Sequence, residues 1–388
     1  MDDFFKDIDW KCQENTFWFQ IKHDAIKMYT MIIGNERSNP QKDRKQIQFE
    51  FYYRNDKNCN ASIKHQCDTD YLIINKGTII AIFEYIYAVF ASPGMFTEIG
   101  NPHTEVINNF VSFYQECDNS NKQIEFPKDK TRLETADIVA MYAIRFIINH
   151  ELGHLLNGHT FILKDIFNES ELQMYSNSTK PASEKYSLDI RTLEFDADRF
   201  ASSRGISSVM SSYMDPDYIA FAPQLLKEKY KLFELYFFAT HSIFLFFEYL
   251  YGFEFTSESR YLPYHIRQIA NYGTSIDFLD IFYRYGFLNR EENDIDEIKD
   301  MMRLGVFKAE TYFNYLYKAN YHWEEKERLD KENLDYHWQM IMSNWENRIE
   351  PKLRSYSRTI LASENTIRIA DDNYKQSTKT YGTPTMLY

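Results

Sequence analysis

The sequence predicts an α+β fold, mostly helical, with a small β-sheet, and three observations carry that expectation. Ile138, Val139, Tyr142, Phe146 and Ile147 recur at the three- and four-residue spacing of one helix face. Short runs at Thr16–Ile21, Ile47–Tyr53 and Tyr71–Ile74 alternate with the two-residue period of strands. After Arg290 the texture changes: an acidic run through Asp300 is followed by opposite charges interleaved from Glu324 to Glu332, the pattern of solvated helices. The expected division is therefore residues 1–290, a domain with an N-terminal sheet region, and residues 291–388, a helical C-terminal region.

Taken in order, the first ten residues, Met-Asp-Asp-Phe-Phe-Lys-Asp-Ile-Asp-Trp, lack the basic and apolar regions of a secretory signal, which predicts a cytoplasmic protein. The alternating runs between residues 16 and 75 predict the sheet, and the polar stretch from Asn35 to Arg44 reads as a loop. Asn60-Ala61-Ser62 and Asn177-Ser178-Thr179 read as exposed loop sequences. Thr78–Ala91 and Leu235–Phe247 are apolar but shorter than the roughly 20 residues a bilayer core demands, so both read as core helices. The 31 Phe and 30 Tyr supply aromatic bulk that must be buried in such cores or line grooves.

Charge and cysteine usage narrow the function classes. A net charge of −13 without a cluster of Lys and Arg argues against nucleic acid or an anionic membrane as the partner. Cys12, Cys59, Cys67 and Cys117 form no C-x-x-C pair, so free thiols in a reducing compartment are expected, with a Cys59–Cys67 bridge as the alternative.

The chemistry is concentrated at His150-Glu151-Leu152-Gly153-His154, an H-E-x-x-H motif. With 10 His and 57 acidic residues in 388, chance supplies roughly 0.04 such matches. Positions four apart on a helix share a face, so His150 and His154 can offer ring nitrogens to one metal ion while Glu151 projects beside them. Zinc bound by three protein ligands keeps an open position where water is activated, and a neighbouring carboxylate can take its proton. The apolar periodicity before the motif, a capping box from Thr131 and Glu134, and the stop signal Asn157-Gly158 put the motif in the last turns of a long, buried helix.

Two histidines need a third ligand. Downstream, Ile190, Leu193, Ala197, Phe200 and Ala201 mark a second amphipathic helix on which Glu194 and Asp198 fall one turn apart. H-E-x-x-H followed by Glu194-Phe195-Asp196-Ala197-Asp198 resembles the signature of gluzincin metallopeptidases, in which H-E-x-x-H precedes E-x-x-A-D. Within that group, the run Ile148-Asn149-His150-Glu151-Leu152-Gly153-His154, followed by Gly158-His159, is similar to the Lit-type phage-exclusion peptidases. The resemblance implies a zincin-like metallopeptidase core, zinc as cofactor, Glu194 as third ligand and Asp198 as the residue that orients His150. It further implies endopeptidase action on an intracellular protein substrate in abortive phage defence. His159 remains the competitor for the third position, although metzincins place that histidine one residue farther on, where Thr160 stands.

Relatives also carry a His-Pro step before an Arg near the site. Here Leu262 occupies the place of that histidine, so His265 is the candidate for stabilising the oxyanion, against a plain reading of His265 and Arg267 as helix-surface residues. The connection 160–187 reads as a lid or a solvated loop. A zinc-containing sensing or binding protein without proteolysis is the alternative function; a purely structural zinc is usually closed by four protein ligands and has no use for Glu151.

Overall fold

The computed structural model describes residues 16–34, 47–106, 126–167, 171–173, 184–214, 222–252, 259–284, 294–322, 331–359 and 361. The polar stretch 35–44, Cys12, Cys117, Asn177 and the charges between residues 323 and 330 lie outside the described residues, as does the middle of the 160–187 connection.

The chain begins with a helix where the alternation suggested a strand. Thr16–Ile21 opens α1 (Thr16–Gly34), because the periodicity that persists is Ile21, Ala25, Tyr29 and Ile32, a buried stripe at helical spacing that a six-residue window cannot reveal. The sheet follows, with β1 (Gln48–Arg54), β2 (Ala61–Gln66), β3 (Thr69–Asn75) and β4 (Glu171–Gln173) in the order β1-β3-β2-β4. β1 pairs with β3 in parallel, Gln48 opposite Thr69, whereas β2 runs antiparallel to both β3 and β4. β2 corrects the sequence reading at Asn60-Ala61-Ser62: Ala61 and Ser62 are buried in an inner strand, covered on both edges.

The expected core helices are present as α2 (Lys76–Ala91) and α6 (Lys231–Tyr251). α6 packs along α8 (Asp294–Tyr317), and its Phe233, Phe237, Phe238 and Phe244 are fully buried, so part of the aromatic bulk fills this side of the core. No helix among the described residues is long and apolar enough to cross a membrane.

The motif helix is α3 (Lys130–Leu156). Its start departs from the expected capping box: Asp129 is the N-cap and accepts from Arg132 N at 3.0 Å, while Glu134 instead faces Lys130 at 3.5 Å. The Glu105 carboxylate accepts from Lys128 N and Asp129 N just ahead of this cap. The fully buried Arg132 guanidinium donates to the carbonyls of Phe90, Ser92, Met95, Phe96 and Ile99, fastening the end of α2 and the loop beyond it to the first turn of α3. The helix stops where expected, at Leu156, with Gly158 in the left-handed region at φ +86°.

α4 (His159–Phe167) starts at once, and α5 (Glu184–Met214) then crosses α3. The crossing is close at Gly153, where an added Cβ would meet the Phe200 ring at 3.2 Å. α7 (Tyr264–Arg284) packs on α5. The C-terminal region returns to the same body: α9 (Lys331–Asn344) lies on α5, and beyond a single π turn (Trp345–Ile349), α10 (Glu350–Tyr356) lies on α4. Asp189 on α5 holds this return by accepting from Arg348 at 2.7–3.0 Å and from Asn344 at 3.1 Å.

Candidate metal centre

Gly153 matters because it brings α5 against the motif face of α3. The result is a group of three donors, His150, His154 and Glu194, each offering one ligand atom within 4.8 Å of the others. His150 Nε2 and His154 Nε2 are 3.0 Å apart, and the two Glu194 oxygens lie 3.4 and 3.5 Å from them. Ligands at zinc-type bond lengths of about 2.0–2.1 Å in a tetrahedron stand roughly 3.3 Å from one another, so the donor spacing fits such an ion. Both Glu194 oxygens are buried and lack a well-formed hydrogen bond, which is costly for a carboxylate unless a cation satisfies it. Among the described residues this is the one such group, and His159 is not part of it.

His159, the competing ligand, stands behind His154. Its Nδ1 lies 2.8 Å from His154 Nδ1, the nitrogen on the far side of the ring from Nε2. His159 is fully buried at the start of α4, just past the end of α3.

Asp198 Oδ1 lies 2.9 Å from His150 Nδ1. Arg267, which the sequence places either near the site or on a helix surface, is buried, and its Nε and Nη2 donate to the two Asp198 oxygens at 2.7 Å each. The chain of support is thus Arg267 to Asp198 to His150, which fixes the His150 tautomer so that Nε2 faces the other donors. His265, two residues away on α7, is likewise buried rather than on the surface; its ring stands edge-on to Tyr264, and it is not one of the three gathered donors.

No family model, curated protein or solved structure matches this chain. The chemistry of the centre rests on its own residues. Burial works against a charged His150 ring, yet its hydrogen bond to Asp198 and the nearby Glu194 carboxylate outweigh that and hold the ring up at about 10. His154 is driven well below its usual value by burial, then by the charges of His150, His159 and Arg267. Burial also opposes ionisation of Asp198, but Arg267 and His150 hold its carboxyl down at about 2. Asp198 and Glu194 thus favour positive charge on the His150 ring, whereas burial and its charged neighbours disfavour it on His154.

Glu151 is fully buried, and neither of its oxygens has a hydrogen-bond partner among the described residues. Burial pushes its carboxyl up to about 8, with the Glu194 charge adding to the rise and His150 and Arg267 opposing it. It is a buried carboxyl next in sequence to His150, and it feels the charges of His150 and Glu194.

Sequence spacing does not reveal the contact that joins Asp196 to Asn157 and His159. Asp196 Oδ2 accepts from Asn157 Nδ2 at 2.6 Å and lies 3.1 Å from His159 Nε2. The signal available in the sequence is three acids, at 194, 196 and 198, within a helix whose neighbours are apolar.

Proposed function

We propose that this chain is a zinc-dependent endopeptidase of the gluzincin type. The observation that carries the reading is the pairing of the His150, His154 and Glu194 donor group with a buried, unengaged Glu151. When bound, zinc supplies a Lewis acid at the position the three donors share. His150, His154 and Glu194 hold it. Asp198, itself braced by Arg267, keeps the His150 ring in register. Glu151 is the proton carrier: its carboxylate takes a proton from the attacking water and delivers it to the leaving amine. Positive charge at the neighbouring donor group opposes the effect of burial on Glu151 and favours its accepting form. His265 is assigned to the developing oxyanion by resemblance alone. The same resemblance suggests an intracellular protein as substrate and abortive phage defence as the setting.

A second reading, a zinc-containing sensing or binding protein, draws on one observation. His150, Glu151, His154 and Glu194 are only 0–2% exposed, so a polypeptide substrate does not reach them in this conformation. The peptidase reading then requires an opening step. Glu151→Gln separates the two readings, because it removes the proton acceptor and leaves the ligands in place. Zinc content should persist while cleavage, or toxicity in cells carrying the trigger, falls by about 10²- to 10⁴-fold. Full biological effect in that variant would establish the binding reading.

A further inference from the structure

Among the described residues, His154 has no carboxylate of its own behind the ring, unlike His150. Its Nδ1 instead meets His159 Nδ1 at 2.8 Å. Only one proton fits between two such nitrogens. When His154 turns the lone pair of Nε2 toward a cation, its Nδ1 carries the proton and donates; His159 then accepts at Nδ1 and donates from Nε2 to Asp196 Oδ2, 3.1 Å away. Each ring has a single allowed tautomer.

The line does not end at Asp196. Asn157 Nδ2 donates to the same Asp196 oxygen, and Asn157 Oδ1 accepts from Thr359 Oγ1, both at 2.6 Å. Thr359 belongs to a strap after α10 that lies across the end of the ligand helix. Arg358 N donates to the carbonyl of Leu156, the last residue of α3, at 2.7 Å, and the Arg358 guanidinium is seated on Asp70 of β3. At Gly158 an added Cβ would come within 2.7 Å of Tyr356, so the strap and the turn are in direct contact.

We infer that His159 and Asp196, backed by Asn157 and Thr359, are positioning residues that orient His154 for its cation and tie the C-terminal strap to the metal centre. The inference rests on the metal reading above. Its physical content is that a ligand ring held by a polarised hydrogen-bond chain is both better aimed and more basic than one held by packing alone.

The test compares zinc affinity, by competition with a chromophoric chelator, in the full-length wild type and in His159→Gln, His159→Leu, Asp196→Asn and Thr359→Val. Circular dichroism reports folding in each. Gln can accept from His154 and donate to Asp196; Leu fills similar space and does neither. The expected result is a loss of about 10- to 100-fold for His159→Leu, with His159→Gln recovering most of it and Thr359→Val losing a few-fold. Wild-type affinity in His159→Leu, or a Gln variant as weak as Leu, would overturn the inference. Should His159→Leu fail to fold, Asp196→Asn and Thr359→Val carry the test, and unchanged affinity in both overturns it. A wild type that binds no zinc removes the metal reading itself, and the positioning role with it.

Discussion

Asp198 and Asp70 are each held by one arginine and one histidine. Asp198 accepts from Arg267 through both oxygens at 2.7 Å and from His150 Nδ1 at 2.9 Å. Asp70 accepts from Arg358 through Nη1 and, at 2.9 Å, Nη2, from His65 Nδ1 at 2.7 Å and from Tyr29 at 2.9 Å. Both carboxylates are buried, and both are held below their usual range. The difference lies on the other side of each imidazole. His150 Nε2 faces His154 and Glu194, whereas the His65 ring packs against Phe161, with centroids 4.7 Å apart, and its side chain stays 17% exposed. The same mount therefore serves two settings: Asp70 is the latch that seats the C-terminal strap on the sheet, and Asp198 holds a ring that belongs to a group able to hold a metal ion.

The comparison breaks most visibly if each aspartate is removed. Asp198→Ala and Asp70→Ala each remove the carboxylate that a buried guanidinium donates to, so each should cost about 3–5 kcal/mol in urea unfolding. Only Asp198→Ala should also cut zinc affinity directly, by about 10- to 100-fold. Equal loss of zinc in Asp70→Ala, measured on folded protein, would erase the distinction between mount and latch.

Acid should sharpen it. At Asp70 burial opposes ionisation, but hydrogen bonds from Arg358 and His65, then their charges, prevail. A carboxyl whose folded value is depressed stabilises the fold above its unfolded value, about 3.9, and that contribution disappears as pH falls through the folded value. For Asp198, held at about 2, the contribution is about 2–3 kcal/mol. Denaturant unfolding of the chelator-treated protein should show stability falling from about pH 4 to about pH 2, and the fall should be shallower in Asp70→Asn. An unchanged slope in that variant would mean that the latch carries no ionised carboxylate.

The smallest expected effect is at the turn that joins the two regions. Gly158 has φ +86°, so Gly158→Ala forces a side chain into the left-handed region and against Tyr356, a loss of about 1–3 kcal/mol in thermal unfolding. No loss would show that the strap does not bear on the turn.

Much of the centre is legible in the sequence because its spacing is local. His150 and His154 share a helix face by arithmetic, and Glu194 and Asp198 do so one turn apart, so these residues can be found before the fold is known. Asn157-Gly158 marks the helix end for the same reason. What stays hidden is long-range. The seat of Arg267 on Asp198 spans 69 residues, and the His159–Asp196 contact spans 37; no periodicity reports such pairs. The start of α1 reads wrongly as a strand because six alternating residues suit a strand as well as one side of a helix. β2 escapes notice because its strand character comes from having a neighbour on each edge, which local composition at Asn60-Ala61-Ser62 does not encode.

The central claim, that His150, His154 and Glu194 form a metal centre, is tested most directly by metal analysis of protein purified without chelators. Wild type and Glu151→Gln should each carry about one zinc per chain, and Glu194→Ala should lose most of it. Wild-type protein free of metal, or a Glu194→Ala variant that retains it while His159→Ala does not, would contradict the account.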